Sequence, residues 1–266
     1  MRIDYQIISV FSSKKLGFTG NPAAVILLDS FPSREVMQET ARELGQPAST
    51  FIVRREGANS YNILWFAPDA EIGLCGHGTA AATVFLGLQK PGEGEFKFHY
   101  PEGELIGKLN DDQTVTISAD AIPVQEELRE IPEALKEGLN IPIKAIYKTS
   151  NKHILLTDCE DSVRNMDPDF SRLRDCEIFG YAVTAKGDKV DFVSRTLVPH
   201  TKQLEDFATG SSHAMLVPFW SKKLNKKVFN SLQLSERGGA FKCALNNGVV
   251  ELSGEFLVEK EGRTEV

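Results

Sequence analysis

Phe66-Ala67-Pro68-Asp69-Ala70-Glu71-Ile72-Gly73-Leu74-Cys75-Gly76-His77-Gly78-Thr79, running straight into an apolar segment, decides how this chain folds. It reads as a strand end, a glycine-bracketed turn and a helix start with Thr79 near its cap. The segment from Ala80 to Leu88, Ala-Ala-Ala-Thr-Val-Phe-Leu-Gly-Leu, is apolar on every face, and a helix with no polar face is buried all round. Its first backbone N–H groups, and the positive end of its dipole, therefore face whatever cavity the Gly-His-Gly turn encloses. That is an anion-binding arrangement, with a thiol and an imidazole beside it.

The plan recurs once. Pro199-His-Thr-Lys-Gln-Leu-Glu-Asp-Phe-Ala-Thr-Gly-Ser-Ser-His-Ala-Met-Leu-Val-Pro-Phe-Trp220 again takes a proline through acidic residues and a Gly/Ser turn into an apolar run. Laying Gly76 on Gly210 places Cys75 over Thr209 and Gly78 over Ser212, and upstream Phe51–Gly57 over Tyr181–Gly187. Two copies of one α/β unit account for this, with two helix N-termini facing a common cleft. Coincidence between two Gly-rich turns is the plainer alternative.

At 266 residues the chain suits two domains, and 41% hydrophobic with 25% charged residues is the balance of a soluble globular protein. A net charge of −7, with no basic stripe, argues against nucleic acid or a membrane surface as partner. Lys222, Lys223, Lys226 and Lys227 read as a charged helix end. Cys75, Cys159, Cys176 and Cys243 form no Cys-x-x-Cys pair, so neither a zinc site nor a redox motif is expected. Nothing resembles a signal peptide and no apolar run is long enough to span a bilayer, which points to the cytoplasm and reduced thiols.

Arg2 to Phe11 alternates as a half-buried strand, and Ala23 to Leu28 is a short buried one. Ser33 caps a helix that Gly45 ends. Strands follow from Phe51, over Tyr61–Phe66, and after the buried helix over Glu95–Tyr100, Glu104–Leu109 and Val115–Ala119. Pro123 and the acidic Glu126–Glu130 stretch mark a boundary near residue 120, giving domains 1–120 and 121–266, with the last strand free to cross back. Helices are expected over 132–138 and near 168–175. Strands are expected over 143–147, 154–156, 178–184 and 190–195, and four short ones finish the chain around an Asn246-Asn247-Gly248 hairpin turn.

With these pieces in order, the chain resembles the PhzF-like (phenazine-biosynthesis) family within the diaminopimelate-epimerase-like fold. The resemblance rests on Gly20-Asn21-Pro22-Ala23-Ala24-Val25, on Trp65-Phe66-Ala67-Pro68 with Leu74-Cys75-Gly76-His77-Gly78-Thr79, on Glu205-Asp206-Phe207-Ala208-Thr209-Gly210-Ser211, and on Gln233 with Glu236-Arg237-Gly238. It implies an α/β (α+β) protein of two pseudo-repeated domains, each a barrel-like mixed sheet around one central buried helix. It implies a homodimer without metal or organic cofactor. The implied chemistry takes a proton from one carbon of a small carboxylic acid and returns one elsewhere.

One departure stands out. The family's acid/base glutamate falls where this chain has Ala48, in Gly45-Gln46-Pro47-Ala48-Ser49-Thr50-Phe51, and alanine cannot move a proton. The remaining candidates are His77, Asp206 and Ser211 for catalysis. Asn21, Gly76, Gly78, Thr79, Gly210, Ser212 and Arg237 are candidates for holding a small anionic metabolite. His77 reads as a proton carrier or positioning imidazole, or as a histidine bonded within its turn. Asp206 reads as a partner for His77, as a proton acceptor itself, or as a helix cap. A helix N-terminus favours a Cys75 thiolate, whereas burial would leave it inert. Two-thiol epimerisation is not expected, because the repeat position holds Thr209. Two functions stand: a cofactor-independent isomerase with altered chemistry, or an inactive relative that binds a small anion or a partner protein.

Overall fold

The alternation at the N-terminus runs one residue past Phe11, so that β1 spans Arg2–Ser12 in a computed structural model describing residues 2–90, 92 and 94–265. β2 (Asn21–Leu28) lies antiparallel to it. Gly20, at φ 71°, leads into β2 where a Cβ would stand 2.2 Å from the Val10 carbonyl oxygen. Helix α1 (Arg34–Leu44) starts and stops as its caps dictate: Ser33 Oγ accepts from the Val36 amide, and Gly45 closes the helix at φ 62°. Its buried face, Met37 and Ala41, packs with Ile26, Phe51 and Phe66. β3 (Ala48–Arg54) then runs parallel to β2, with Ala48 opposite Ala23. It begins three residues before the expected Phe51, because Ser49 and Thr50 sit in a strand buried on both faces, where polar residues hide the usual alternation.

β4 (Ser60–Phe66) pairs antiparallel with β3, and the two-residue β5 (Glu71–Ile72) folds back on it. After helix α2 (Gly76–Gln89) come β6 (Glu95–Tyr100), parallel to β4, and the antiparallel β7 (Gly103–Leu109) and β8 (Thr114–Asp120). The chain's last strand, Val249–Glu265, pairs with both β8 and β1. The ring β1-β2-β3-β4-β6-β7-β8-last strand is thereby closed, an eight-stranded barrel. Helix α2 fills it, buried without a break from His77 to Gly87 and packed on β1, β2, β3 and β7. Small residues make that possible. A Cβ on Gly107 of β7 would stand 1.9 Å from Thr83 Oγ1, and one on Gly87 would stand 2.7 Å from the Leu109 side chain.

The chain divides into two units, Met1–Ala119 with Glu251–Val266, and Asp120–Val250. The second contains β9 (Glu126–Glu127), α3 (Glu133–Leu139), β10 (Ala145–Lys148), β11 (His153–Leu156), α4 (Glu160–Asn165), α5 (Phe170–Leu173), β12 (Tyr181–Lys186), β13 (Phe192–Val198), β14 (Leu204–Asp206), α6 (Gly210–Leu224), β15 (Val228–Gln233) and β16 (Gly239–Asn246). Its ladder repeats the first unit's: β10 and β11 antiparallel, β11 and β12 parallel, β12 and β13 antiparallel, β14 folded back on β13, then β13 and β15 parallel across the buried helix. Trp220 Nε1 of α6 donates to Thr184 Oγ1 of β12 at 3.0 Å, and His213 Nε2 meets Ser231 Oγ of β15 at 3.0 Å, so this sheet also wraps its helix.

Three further details of the fold differ from the sequence reading. The repeat's upstream register moves by two residues: Ser49 opposite Phe66 corresponds to Tyr181 opposite Leu197, since the next rungs place Trp65 on Ile72 and Thr196 on Asp206. The loops between these strands differ in length, so one sequence offset cannot serve both strand and helix. The finish is two ordinary strands and one of 17 residues, not four short ones. Two register slips, with Glu259 the extra residue in the long strand and Phe11 the extra residue in β1, let the pair bend with the barrel. The hairpin turn before the long strand is as expected, with Asn247 at φ 49° and Gly248 at φ 84°. Finally, helix α4 and strand β14 carry too few periodic residues to announce themselves. No helix among the described residues is long and apolar enough to cross a membrane.

Candidate active site

The Gly-His-Gly turn is not a turn ahead of a helix. It is the first turn of α2, and the cap is Cys75 rather than Thr79. Cys75 has extended geometry (φ −130°, ψ 99°), and its sulfur accepts the Gly78 amide at 3.3 Å, doing with a thiol what serine or aspartate usually does. Thr79 Oγ1 instead donates to the Cys75 carbonyl at 2.8 Å, so its hydroxyl is engaged inside the helix. Glycine's low helix propensity is why the sequence alone points to a start near Thr79. Here Gly78 is required by packing, because a Cβ there would meet Thr50 Oγ1 at 2.6 Å and Trp65 Cδ1 at 2.7 Å.

His77 is therefore held in a helix's first turn, only 6% exposed, with Nδ1 3.5 Å and Nε2 3.8 Å from Cys75 Sγ. The thiol and imidazole form one cluster at the start of the helix. Ala48 is fully buried, and strand alternation sets it on the same face of β3 as Thr50, the residue that touches Gly78. Asn21 is buried at the first position of β2, two residues before Ala23, the partner of Ala48.

In the second unit Thr209 caps α6 with nearly the backbone of Cys75 (φ −113°, ψ 106°). Its hydroxyl makes no cap bond and donates instead to Asp206 Oδ2 at 2.7 Å. Gln233 ties the same loop three times, its Oε1 accepting the Thr209 amide at 2.9 Å and its Nε2 donating to the Asp206 carbonyl at 2.6 Å and to Thr209 Oγ1 at 3.0 Å. The neighbouring acid is spoken for: Glu205 takes Arg195 in a two-pronged pair at 2.7 and 2.6 Å, and Arg195 also donates to the Met166 carbonyl. Of the two adjacent carboxylates, Asp206 is held by the Thr209 hydroxyl and Glu205 by the Arg195 guanidinium. Arg237 lies in the β15–β16 turn with its guanidinium 5.8 Å from the centre of the Phe207 ring, on the loop that carries Asp206.

Of the two serines at the α6 tip, Ser212 is fully buried and accepts from Thr196 Oγ1 at 2.9 Å, so its hydroxyl faces the sheet. Ser211 is half-buried, and its Oγ accepts from the Lys152 ammonium at 2.9 Å. Lys152, in the turn Thr149-Ser150-Asn151-Lys152 between β10 and β11, carries no motif and no periodicity that would have marked it. Gln233 stands in the family pattern, but only the structure gives it a task. Behind the tip, His213 is wholly buried with Nδ1 2.9 Å from the Thr209 carbonyl, and burial pulls its pKa down to about 4, so at neutral pH the ring is uncharged. Burial likewise pushes the Cys243 thiol up to about 12, which leaves it inert.

Each unit thus offers a buried helix whose start is lined by groups that donate, accept or carry protons. A closed strand ring around an all-buried helix, repeated in plan by a second unit, defines a diaminopimelate-epimerase-like fold. The structure of a hydroxyproline epimerase from Agrobacterium vitis shares it, with a TM-score of 0.65 at 10% identity over 98% of this chain and 92% of that one. The chain belongs to the phenazine biosynthesis-like protein family, PhzC-PhzF, whose pattern matches residues 8–262. It is similar to an uncharacterised isomerase of Pseudomonas aeruginosa, 35% identical over 99% of this chain and 98% of that protein. It is also similar to a PhzF-family phenazine biosynthesis protein of Enterococcus faecalis, whose crystal structure matches at TM-score 0.89 and 32% identity over the whole of both chains.

Proposed function

We propose that this protein is a PhzF-like isomerase that moves a proton on a small carboxylated metabolite without metal or organic cofactor. It would work in the cytoplasm as a homodimer. The observation that carries the reading is the hold on Asp206 at the α6 tip: the Thr209 hydroxyl donates to its carboxylate and Gln233 Nε2 to its carbonyl. A half-buried carboxylate so held suits acid/base work. In the proposed step a base takes a proton from a carbon conjugated with the substrate's carboxyl group. The electron pair shifts through the π system, and a proton is delivered at another carbon, so the product is an isomer. Asp206, His77 and Cys75 are the groups able to carry that proton, since Ala48 is not. The amides at the start of α6, with Ser211 and Arg237, would hold the carboxylate.

The test is incubation in deuterated water with a panel of small amino-hydroxy and aromatic carboxylic acids, followed by NMR for deuterium at carbon. Exchange that disappears in Asp206→Asn supports the reading. A second reading, an inactive relative that binds a small anion, is favoured by the buried Ala48 methyl on the strand face that meets the α2 tip. Binding of a panel acid without exchange, together with exchange gained in Ala48→Glu, would overturn the isomerase in favour of that second reading.

A further inference from the structure

We propose that Lys152 is a positioning residue for Ser211, fixing its hydroxyl as a hydrogen-bond donor toward the substrate. This rests on the isomerase reading for its catalytic consequence but not for its geometry. Lys152 is only 6% exposed, unusual for a lysine, and its ammonium donates both to Ser211 Oγ at 2.9 Å and to Asn151 Oδ1 at 2.7 Å. The turn that carries it is locked. Thr149 Oγ1 donates to the Lys152 carbonyl at 2.6 Å and accepts the Asn151 amide at 3.1 Å. The lysine stem passes Gly180, where even a Cβ would touch Lys152 Cδ at 3.4 Å. The ammonium is thus delivered from behind to a serine that is itself half-exposed.

The consequence follows from the direction of that bond. A cationic donor occupies a lone pair of Ser211 Oγ, so the serine's own hydrogen must point away from the ammonium. A hydroxyl polarised by a charged neighbour is a stronger donor than a free one, and its orientation is settled before any ligand arrives. Ser211 is then prepared to donate to a carboxylate, or to the oxygen on which charge develops when that carboxylate's conjugated system takes up an electron pair. Lys152 acts through Ser211 and touches no substrate itself.

Two arms test this. In the first, with no substrate, protein carrying ¹⁵N-lysine is observed by NMR, and the Lys152 Nζ signal is identified by its loss in Lys152→Arg. We expect a slowly exchanging ammonium whose signal moves in Ser211→Ala. A signal in fast exchange, or one indifferent to Ser211→Ala, overturns the proposal. In the second, carbon exchange is timed with whichever panel acid the wild type exchanges. Lys152→Met should lower kcat about 100-fold, the scale of losing one preorganised donor, with KM changed far less. Lys152→Arg should restore part of the loss, and Lys152→Met with Ser211→Ala should cost no more than the worse single change. An unchanged kcat in Lys152→Met overturns the role. Wild-type silence on every acid overturns the isomerase reading instead, and the first arm alone then decides whether Lys152 holds Ser211.

Discussion

The Ala214 carbonyl accepts the Ile122 amide at 2.9 Å, although the two residues lie far apart in the chain. In an unbroken helix its partner would be the amide of residue 218, but that residue is Pro218 and has none. The proline inside α6 thus leaves a buried acceptor that pins the segment entering the second unit onto its central helix. Pro218→Ala returns a competing donor to that carbonyl. Hydrogen exchange at the Ile122 amide should then speed up at least about tenfold, a loss of about 1.4 kcal/mol in local protection. An Ile122 amide equally protected in both proteins contradicts this account.

The barrel of the first unit is tight where Gly107 faces Thr83. A methyl at Gly107 would fall 1.9 Å from Thr83 Oγ1, with Thr83 fully buried and its hydroxyl already donating to the Thr79 carbonyl. Gly107→Ala should therefore destabilise by about 1–3 kcal/mol through overpacking. Thr83→Ala in the same chain should recover most of it, because alanine gives up both the hydroxyl and the methyl that collide. Urea unfolding of the single and double variants measures both. Failure of Thr83→Ala to rescue would place the strain elsewhere.

Much of this was legible in the sequence, and the reasons are particular. The all-apolar run after Thr79 could only be a buried helix, and its echo after Gly210 announced the repeat. Ser33 and Gly45 bracketed α1 because capping chemistry is local. What stayed hidden depends on partners distant in the chain. Cys75 looked like a nucleophile or an inert thiol, and its use as a helix cap appears only once Gly78 is seen above it. Glu205 and Asp206 look alike as letters, and it takes Arg195 and Thr209 to tell them apart. Lys152 sits in an ordinary polar turn, and its burial is a property of the folded unit alone.

The distinction between those two acids predicts opposite behaviour. Arg195 and Glu205 are 13% and 17% exposed, so Arg195→Met strands a largely desolvated carboxylate and should cost about 3 kcal/mol. Adding Glu205→Gln should return much of that, since no lone charge remains. Asp206→Asn keeps an acceptor for the Thr209 hydroxyl and should cost less stability than Arg195→Met, while abolishing carbon exchange. Thermal melts beside the deuterium assay separate the two. An Asp206→Asn protein that melts as early as Arg195→Met would make Asp206 a structural residue.

His213 makes the second unit sensitive to acid. It is wholly buried, with Nδ1 at the Thr209 carbonyl, Nε2 at Ser231, and its ring stacked on Phe241 at 3.7 Å, and burial lowers its pKa from 6.5 to about 4. Between those two values the unfolded chain binds a proton that the folded chain refuses. The folded state is accordingly favoured in full above pH 6.5 and loses ground as the pH falls toward 4. For one group the slope is at most about 1.4 kcal/mol per pH unit, or about 3 kcal/mol across the window. His213→Gln should be less stable at pH 7.5, having lost the stacked ring, but it carries nothing to protonate. The stability gap between wild type and variant, taken from urea unfolding at successive pH values, should therefore shrink from pH 6.5 toward pH 4. The carboxylates shared by both proteins cancel in that difference, so a gap that stays constant would mean His213 is not held neutral by the fold.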